Sequence, residues 1–590
     1  MMPDIPDQKR LSDSFFYFLC WLIGGLIAYL FSYVGITFLN SHGENTFFGP
    51  DSFYHARRIL TTAEDLTAFY QYDDRSSSWI SWPWAYDWIL ALVIKIIYFF
   101  SPSVNGASIL VHIPPLIVFF NAFLIIGVAK AIDLKLVYAL ILMLCFALSP
   151  LTKLLHVPGR IDHHMIEYSF VLASLWAGIG WFKNKNGAIV LGIILGIATA
   201  FHNGLFVLQL PLVLSSMLMW LSKVKLPKHT ALLCISLILS NFLVSLPSEK
   251  FLEYEFTFYF QSWFHTYICL CTAIALICLN NINFSLRGFL FLTVAAGILA
   301  FPITGQLIFG LGFLSADLPN LPAIDEMHSP YSDLRLSISE YSYLLLVFPI
   351  PLILLSVLEF KNREPYMVYL LVFLVFGSIL LLLQRRLQYF GSIALYLPTL
   401  ILLNRYMTDS AGNYFFKTAI AFCTMMLMYV PCLNALTMNR PLGSSYDYAI
   451  QATTLDILKR LCEDNPGLVL ADYNDGHFIT YHTKCSVIAN NMMISPEDFA
   501  HIKVVERYLN MTVSQFSALS TDIDYLYIRR SDNIFLHAAI SDIKNYNAGL
   551  RSDLLIDEIS IPGHWRLVAE LVDRDLSYEN IVKIYDIRQQ

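Results

Sequence analysis

Apolar stretches of about 20 residues, the length a helix needs to cross a ~30 Å hydrocarbon core, recur along this chain from Phe15 to Asn434. Short polar breaks separate them, and the pattern then stops: from Ala435 to Gln590 the positions are mixed and evenly charged. The chain therefore divides into a multi-span part, residues 1–434, and one soluble domain of ordinary size, residues 435–590. Lys and Arg collect at the cytoplasmic ends of spans. Placing the clusters at Lys9/Arg10, Lys130/Lys135, Lys183/Lys185, Lys223/Lys225/Lys228, Arg287, Lys361/Arg363 and Arg405 inside orients the whole chain. It predicts spans near 15–39, 107–129, 135–149, 164–182, 187–201, 204–221, 230–247, 262–280, 288–304, 341–358, 366–384, 387–403 and 415–434. That is about thirteen crossings, with the N-terminus cytoplasmic and the C-terminal domain outside. Trp84 to Phe100 is apolar but short, and counting it would invert every later loop. It reads as a helix lying at the outer surface or dipping in without crossing.

Composition agrees with the pattern. Hydrophobic residues make up 56% of the 590 and charged residues 14%, against roughly 25% charged in soluble proteins. The net charge of −7, with no concentrated basic tract, excludes a nucleic-acid partner. Phe15 to Leu39 is too long for a signal-peptide core and follows Lys9 and Arg10, so it reads as an uncleaved first span. Most of the ten cysteines lie inside apolar spans; only Cys462 and Cys485 fall in the tail, where export would permit a disulfide. The tail reads as α/β. Gly467–Ala471, His477–Tyr481, Ser486–Ala489, Asp524–Ile528 and Ile581–Tyr585 are strand-like, and Glu497–Leu509 has helical periodicity.

The polar residues that stand out lie in three outward loops, about 40–106, 150–163 and 305–340. Asp51, Asp162, His164 and Glu340 sit at loop ends where spans begin, so all four face the same side. One reading makes them helix caps or partners of Arg57, Arg58 and Arg160. The other is a divalent site: three carboxylates and one imidazole suit Mn²⁺ or Mg²⁺. Asp162 and His164 share a face only in an extended or turn conformation, which a loop-to-helix boundary permits. His163-His164 is not a zinc pattern, since no cysteine or second spaced histidine accompanies it. Gln384-Arg385-Arg386 heads a late span on the outer side, against the inside-positive rule. Guanidinium groups there suit a phosphorylated lipid; interfacial snorkelling, with Tyr389 in the aromatic belt, is the alternative.

In chain order, Asp51 opening the first outer loop, Asp162-His-His164 in the second, Ser337-Ile-Ser-Glu340 closing the third, and Arg386 heading a late span resemble one family. It is the catalytic subunit of oligosaccharyltransferase, a membrane glycosyltransferase of the C-type fold, in a divergent single-subunit, prokaryotic-like form. The resemblance covers nearly the whole chain. It implies a polytopic α-helical membrane domain with an exported α/β tail, located in a bacterial inner membrane. It implies transfer of a glycan from a polyprenyl (di)phosphate to a protein acceptor, an Asn side chain, on the outer face. By the same resemblance Asp51, Asp162, His164 and Glu340 hold Mn²⁺ or Mg²⁺, and Asp51 and Glu340 engage the acceptor nitrogen. Arg386, with Arg385 as competitor, faces the lipid phosphate. The family's acceptor-reading Trp-Trp-Asp-Tyr-Gly is replaced here by Asp472-Tyr473-Asn474-Asp475-Gly476. Both tryptophans are absent and Asn474 stands where the aspartate belongs, which implies altered acceptor recognition.

Three alternatives come from other classes. A same-fold transferase acting on a hydroxyl would differ in product linkage. A transporter or flippase would carry its charges in broken helices at mid-membrane, whereas these charges sit at loop ends. A sensor with an exported binding domain would not need three acidic loops to converge.

Overall fold

A helix occupies each of the thirteen ranges expected to span. The structure, a computed structural model, describes residues 6–36, 38, 45–47, 49–306, 308, 310, 327–362, 364–406, 414–433, 445–492, 494–529, 549–555, 561–572 and 580–588. Among the described residues eight helices are long and apolar enough to cross a membrane, including Gly106–Ala131, His164–Lys183 and Pro365–Leu383. Leu136–Ala147, Lys185–Ala200, Thr230–Ser245 and Pro349–Glu359 are apolar but shorter. The protein is a polytopic α-helical membrane protein with a C-terminal domain of helices and sheet. The boundary expected at 434/435, and residues 311–326 of the third outer loop, lie outside the described residues.

The site-bearing elements come early: α1 (Pro6–Tyr33), α2 (Pro50–Glu64), a hairpin of β1 (Tyr72–Asp73) and β2 (Ser78–Trp79), and α3 (Ala85–Phe100). They are followed by α4 (Gly106–Ala131), α5 (Leu136–Ala147), α6 (Pro150–Leu155) and α7 (His164–Lys183). α2 starts sharply because Gly49 takes φ +78° and Pro50 supplies the first helical φ, with Asp51 in the first turn. α3 is the apolar segment Trp84–Phe100. It buries Tyr86, Asp87, Leu90, Ala91 and Ile94, and leaves Ile89, Ile96, Phe99 and Phe100 exposed. Spans pack closely where side chains are small. A Cβ on Gly192 or Gly196 would lie 2.5 Å from the Leu233 carbonyl or 2.6 Å from that of Leu237. Lys185–Ile197 and Thr230–Ser245 can therefore approach only through a Gly-x-x-x-Gly face.

The tail sheet has five strands: β3 (Leu468–Leu470), β4 (Ser486–Val487), β5 (Tyr525–Arg529), β6 (Arg566–Val572) and β7 (Asn580–Asp586). Their order is β4-β3-β5-β7-β6. β3 runs parallel to β4 and β5, while β7 is antiparallel to β5 and β6. One expected strand is corrected: His477–Tyr481 lies in the helix Gly476–His482. Tertiary packing overrides its β-prone composition, because Phe478 and His482, one turn apart, both meet Phe53 of α2, at 5.0 and 5.5 Å between ring centroids. Helix Ser445–Asp464 and strand β6 were not anticipated. Cys462 and Cys485 form a disulfide, Cα atoms 5.4 Å apart, tying helix Ser445–Asp464 to the start of β4. The tail is bonded to the first outer loop: the Arg75 guanidinium donates to the Cys485 carbonyl at 2.7 Å, and Val487 N–H to the Arg75 carbonyl at 2.8 Å.

Candidate functional site

The loop that leads into α7 is shaped by one glycine. Gly159 has φ +83°, its N–H donates to the Val111 carbonyl at 2.8 Å, and a Cβ there would stand 2.5 Å from the Thr46 carbonyl. A side chain is excluded on both conformational and steric grounds. The loop then runs Arg160-Ile161-Asp162-His163 into α7, and the Tyr86 hydroxyl of α3 pins it through the Ile161 carbonyl at 3.2 Å.

A buried network of acids and imidazoles forms where this loop meets α2 and α3. Asp87 Oδ1 holds His55 Nδ1 at 2.7 Å, and its other oxygen pairs with Arg58 at 3.1 Å. His55 Nε2 lies 3.2 Å from His163 Nδ1, which is 2.8 Å from Asp162 Oδ1. Asp162 Oδ2 faces His164 Nε2 at 3.8 Å and Arg160 at 3.5 Å. Glu167 bridges two histidines, with Oε2 2.7 Å from His164 Nδ1 and Oε1 2.6 Å from His202 Nδ1. Trp82 covers the cluster, its ring 4.0 Å from that of His163 and 4.8 Å from that of His202. Burial pushes the Asp162 carboxyl up, but His164, His163 and Arg160 outweigh it and hold it well below the usual carboxylate range. Burial drives His163 down to about 3, against the pull of Asp162 and Glu167.

Two groups bring metal-ligand atoms within 4.8 Å of one another among the described residues: His55/Asp162/His163 and His163/Glu167/His202. The Asp162–His164 pair also fits a shared ion, because two donors with bonds of about 2.1 Å stand roughly 3.0–4.2 Å apart. Of the four residues expected to hold a cation, Asp162 and His164 are thus brought together. Asp51 and Glu340 fall in neither group. Asp51 Oδ1 accepts from Asn491 of the tail at 2.8 Å. Glu340 lies in helix Leu334–Tyr341, whose Tyr341 hydroxyl donates to Gln388 at 2.5 Å. That bond ties its segment to the turn Arg385–Leu387.

The two arginines differ. Arg385 donates its backbone N–H to the His328 carbonyl at 2.9 Å, and its Nε and Nη2 are buried without a hydrogen-bond partner among the described residues. One turn on, Tyr389 places its ring 5.7 Å from that of His164, linking this turn to the acid–imidazole network. Of the arginines offered as carboxylate partners, Arg57 pairs with Asp73, Arg58 with Asp87 and Arg160 with Asp162.

In the tail turn, Asp472 Oδ1 accepts from the Asn474 backbone at 2.9 Å and its amide at 3.1 Å. Asp475 is buried in a forked pair with Arg529, at 3.0 and 3.2 Å. Tyr473 packs partly against the tail core and Asn474 is exposed. The helix that follows rests on α2, with His477 and Tyr54 rings 5.0 Å apart, so this turn borders the element that carries Asp51.

Sequence reasoning assigned no role to His55, Asp87, Glu167, His202 or Asn491. Charge parity puts the His202-Asn203 break on the outer side, and that was the available signal for His202. Nothing local marks Asn491.

No protein-family model matches the sequence, and no curated protein matches it significantly. The fold belongs to a class of multi-pass membrane proteins with known structures. The apo oligosaccharyltransferase of Archaeoglobus fulgidus superposes with a TM-score of 0.73 at 13% identity, over 95% of this chain and 80% of that one. Archaeoglobus fulgidus AglB in complex with an inhibitory peptide and a dolichol-phosphate gives 0.71 at 12% identity, over 96% and 80%. The complex of the Archaeoglobus enzyme with Zn and sulfate gives 0.66 at 15%, over 95% and 79%. At such identities the likeness establishes the fold.

Proposed function

We propose that this chain is a glycosyltransferase that moves a glycan from a polyprenyl (di)phosphate carrier to an Asn side chain of a protein acceptor on the outer face of the membrane. The carrying observation is the Asp162–His164 pair at cation-compatible spacing, set within a fold shared over 95% of the chain with archaeal oligosaccharyltransferases. Those structural relatives have been solved with an inhibitory peptide and a dolichol-phosphate, and with Zn and sulfate, which supports a lipid-linked donor, a peptide acceptor and a divalent ion here.

Asp162 and His164 would hold Mn²⁺ or Mg²⁺, with Asp51 and Glu340 completing the set. Such an ion supplies Lewis-acid charge opposite the departing phosphate. Asp51 and Glu340 orient the acceptor amide, a poor nucleophile. Arg385, whose buried Nε and Nη2 have no acceptor among the described residues, binds the lipid phosphate, and Arg386 flanks it. A buried donor left unsatisfied costs about 1–3 kcal/mol, which a phosphate oxygen would recover. The protein acts as a single subunit in a bacterial inner membrane with its tail periplasmic, a placement that the Cys462–Cys485 disulfide supports.

Acceptor choice departs from a strict Asn-x-Ser/Thr rule in this reading. Asp475 is committed to Arg529 and Asn474 is neutral, whereas charge-assisted bonds to a hydroxyl are roughly twice as strong as neutral ones. The same observation favours the second reading, transfer to a hydroxyl. Mass spectrometry of envelope proteins from cells with and without this chain tests both. Asn-linked glycans that vanish with the chain support the proposal; loss of Ser- or Thr-linked glycans selects the second reading; an unchanged glycoproteome rejects both.

A further inference from the structure

We infer that Glu167 is a positioning residue that fixes His164 as a cation ligand, an inference that rests on the proposed cation site. α7 begins at His164, so Glu167 falls three residues on, one turn along the same face. Its Oε2 lies 2.7 Å from His164 Nδ1. An ionised carboxylate only accepts, so Nδ1 carries the proton, and in the neutral ring that a metal ligand requires Nε2 then presents its lone pair. That lone pair points across 3.8 Å at Asp162 Oδ2, another acceptor. With the ring neutral these are two acceptors facing one another, at a spacing that two ligands of one cation fit. A carboxylate behind a histidine behind a metal ion is a recurring arrangement that sets the ring's tautomer and orientation and raises its basicity.

The burial of Glu167 calls for such a role. It is 0% exposed at the head of an apolar span, where a carboxylate persists only when paired. The group His163/Glu167/His202 offers itself as a second ion site instead. However, His202 Nδ1 approaches Glu167 Oε1 to 2.6 Å, closer than the roughly 3 Å that separates two ligands on one ion. Glu167 therefore reads as a carboxylate bracketed by imidazoles, with one oxygen serving His164 and the other in close contact with His202 on the far side. His202 belongs to the break before the 3-10 turn Asn203–Leu208, so this contact comes from a different pair of spans.

The test is Mn²⁺ affinity, read by the electron paramagnetic resonance signal of free Mn²⁺ titrated with the purified full chain, beside the thermal midpoint of each variant. Glu167→Gln removes the negative charge behind His164 and leaves an amide that can turn either its oxygen or its NH₂ toward the ring, and is expected to weaken Mn²⁺ binding about 10–100-fold with the midpoint little changed. Glu167→Asp, which keeps the buried charge but withdraws it by one methylene, serves where the first does not fold and is expected to weaken binding too. His202→Gln removes only the contact on the other oxygen, and its loss is expected to be smaller than that of Glu167→Gln. Affinity within twofold of wild type in both Glu167 variants would overturn the inference. So would an equal loss in His202→Gln. Wild-type protein that binds Mn²⁺ but transfers no glycan would refute the proposed reaction alone, whereas wild type that binds no Mn²⁺ would remove the cation site and this inference together.

Discussion

Asn491 of the C-terminal domain donates its side-chain N–H to Asp51 of α2 at 2.8 Å, across 440 positions of sequence. Beside it Met492 packs with Tyr54 and Trp82, so the tail closes over the start of the first outer loop. Under the proposed function an acceptor carboxamide must reach the same carboxylate, and the two amides compete. Asn491→Ala is expected to lower the peptide KM about fivefold, the equivalent of roughly 1 kcal/mol for one hydrogen bond. Steady-state kinetics over a peptide series check this. An unchanged or raised KM would mean that Asn491 holds Asp51 in place instead of competing for it.

The turn at Arg385–Leu387 distinguishes its two arginines. Arg385 carries the buried N–H groups that lack a partner among the described residues. Arg385→Ala should therefore raise the KM for lipid-linked donor about 10–100-fold, as expected for losing bonds to a charged group worth about 1.5–3 kcal/mol. Arg386→Ala should raise it less. Equal donor KM values for both variants and wild type would return the pair to interfacial snorkelling.

Acid should loosen the tail through two histidines. Burial pushes His477 down to about 3 and His482 down to about 4, below the roughly 6.5 of an unfolded histidine. The unfolded chain then binds protons first. The stability that these neutral rings contribute is complete above about pH 6.5 and is lost as pH falls toward their folded values. Thermal unfolding followed from pH 7.5 to pH 5 should show a falling midpoint, and His477→Gln should fall less steeply. A midpoint that rises on acidification contradicts this assignment.

The Cys462–Cys485 bond closes a loop with a sequence separation of 23. Replacing both cysteines with serine should cost the tail about 2–4 kcal/mol, mainly by freeing the unfolded chain. Urea unfolding of the full protein, followed by protease sensitivity of the tail, reads that loss as a lower midpoint. An unchanged midpoint would show that the tail is held by its sheet and its docking on α2.

The membrane helices were legible because the length of an apolar run is a one-dimensional signal, and each of the thirteen expected ranges holds a helix. The tail was less so. His477–Tyr481 has the composition of a strand but folds as a helix, since contact with Phe53 more than 400 positions away decides the matter. Asp162 and His164 were legible as a pair because a loop-to-helix boundary permits the extended or turn conformation in which residues two apart share a face. The support around them was not. His55, Glu167 and His202 reach the cluster from three separate elements, and Asn491 reaches Asp51 from another domain. Glu167 stands three residues after His164 on one helix, a spacing that left its role unmarked without the fold; His55, His202 and Asn491 carry no spacing rule at all, so only the folded chain brings them together.

The central claim is lipid-linked glycan transfer at the Asp162–His164 site. Its most direct test combines the purified full chain, lipid-linked donor extracted from the native membrane, a peptide containing a single Asn, and Mn²⁺ or Mg²⁺, with the product read by mass spectrometry. The account predicts a glycan on that Asn, abolished by exhaustive chelation and restored by Mn²⁺ or Mg²⁺. It also predicts transfer reduced at least 100-fold in Asp162→Ala, more than the roughly 10–100-fold typical for losing a residue that only supports a metal ligand. Full transfer after chelation, or an Asp162→Ala protein as active as wild type, would contradict it.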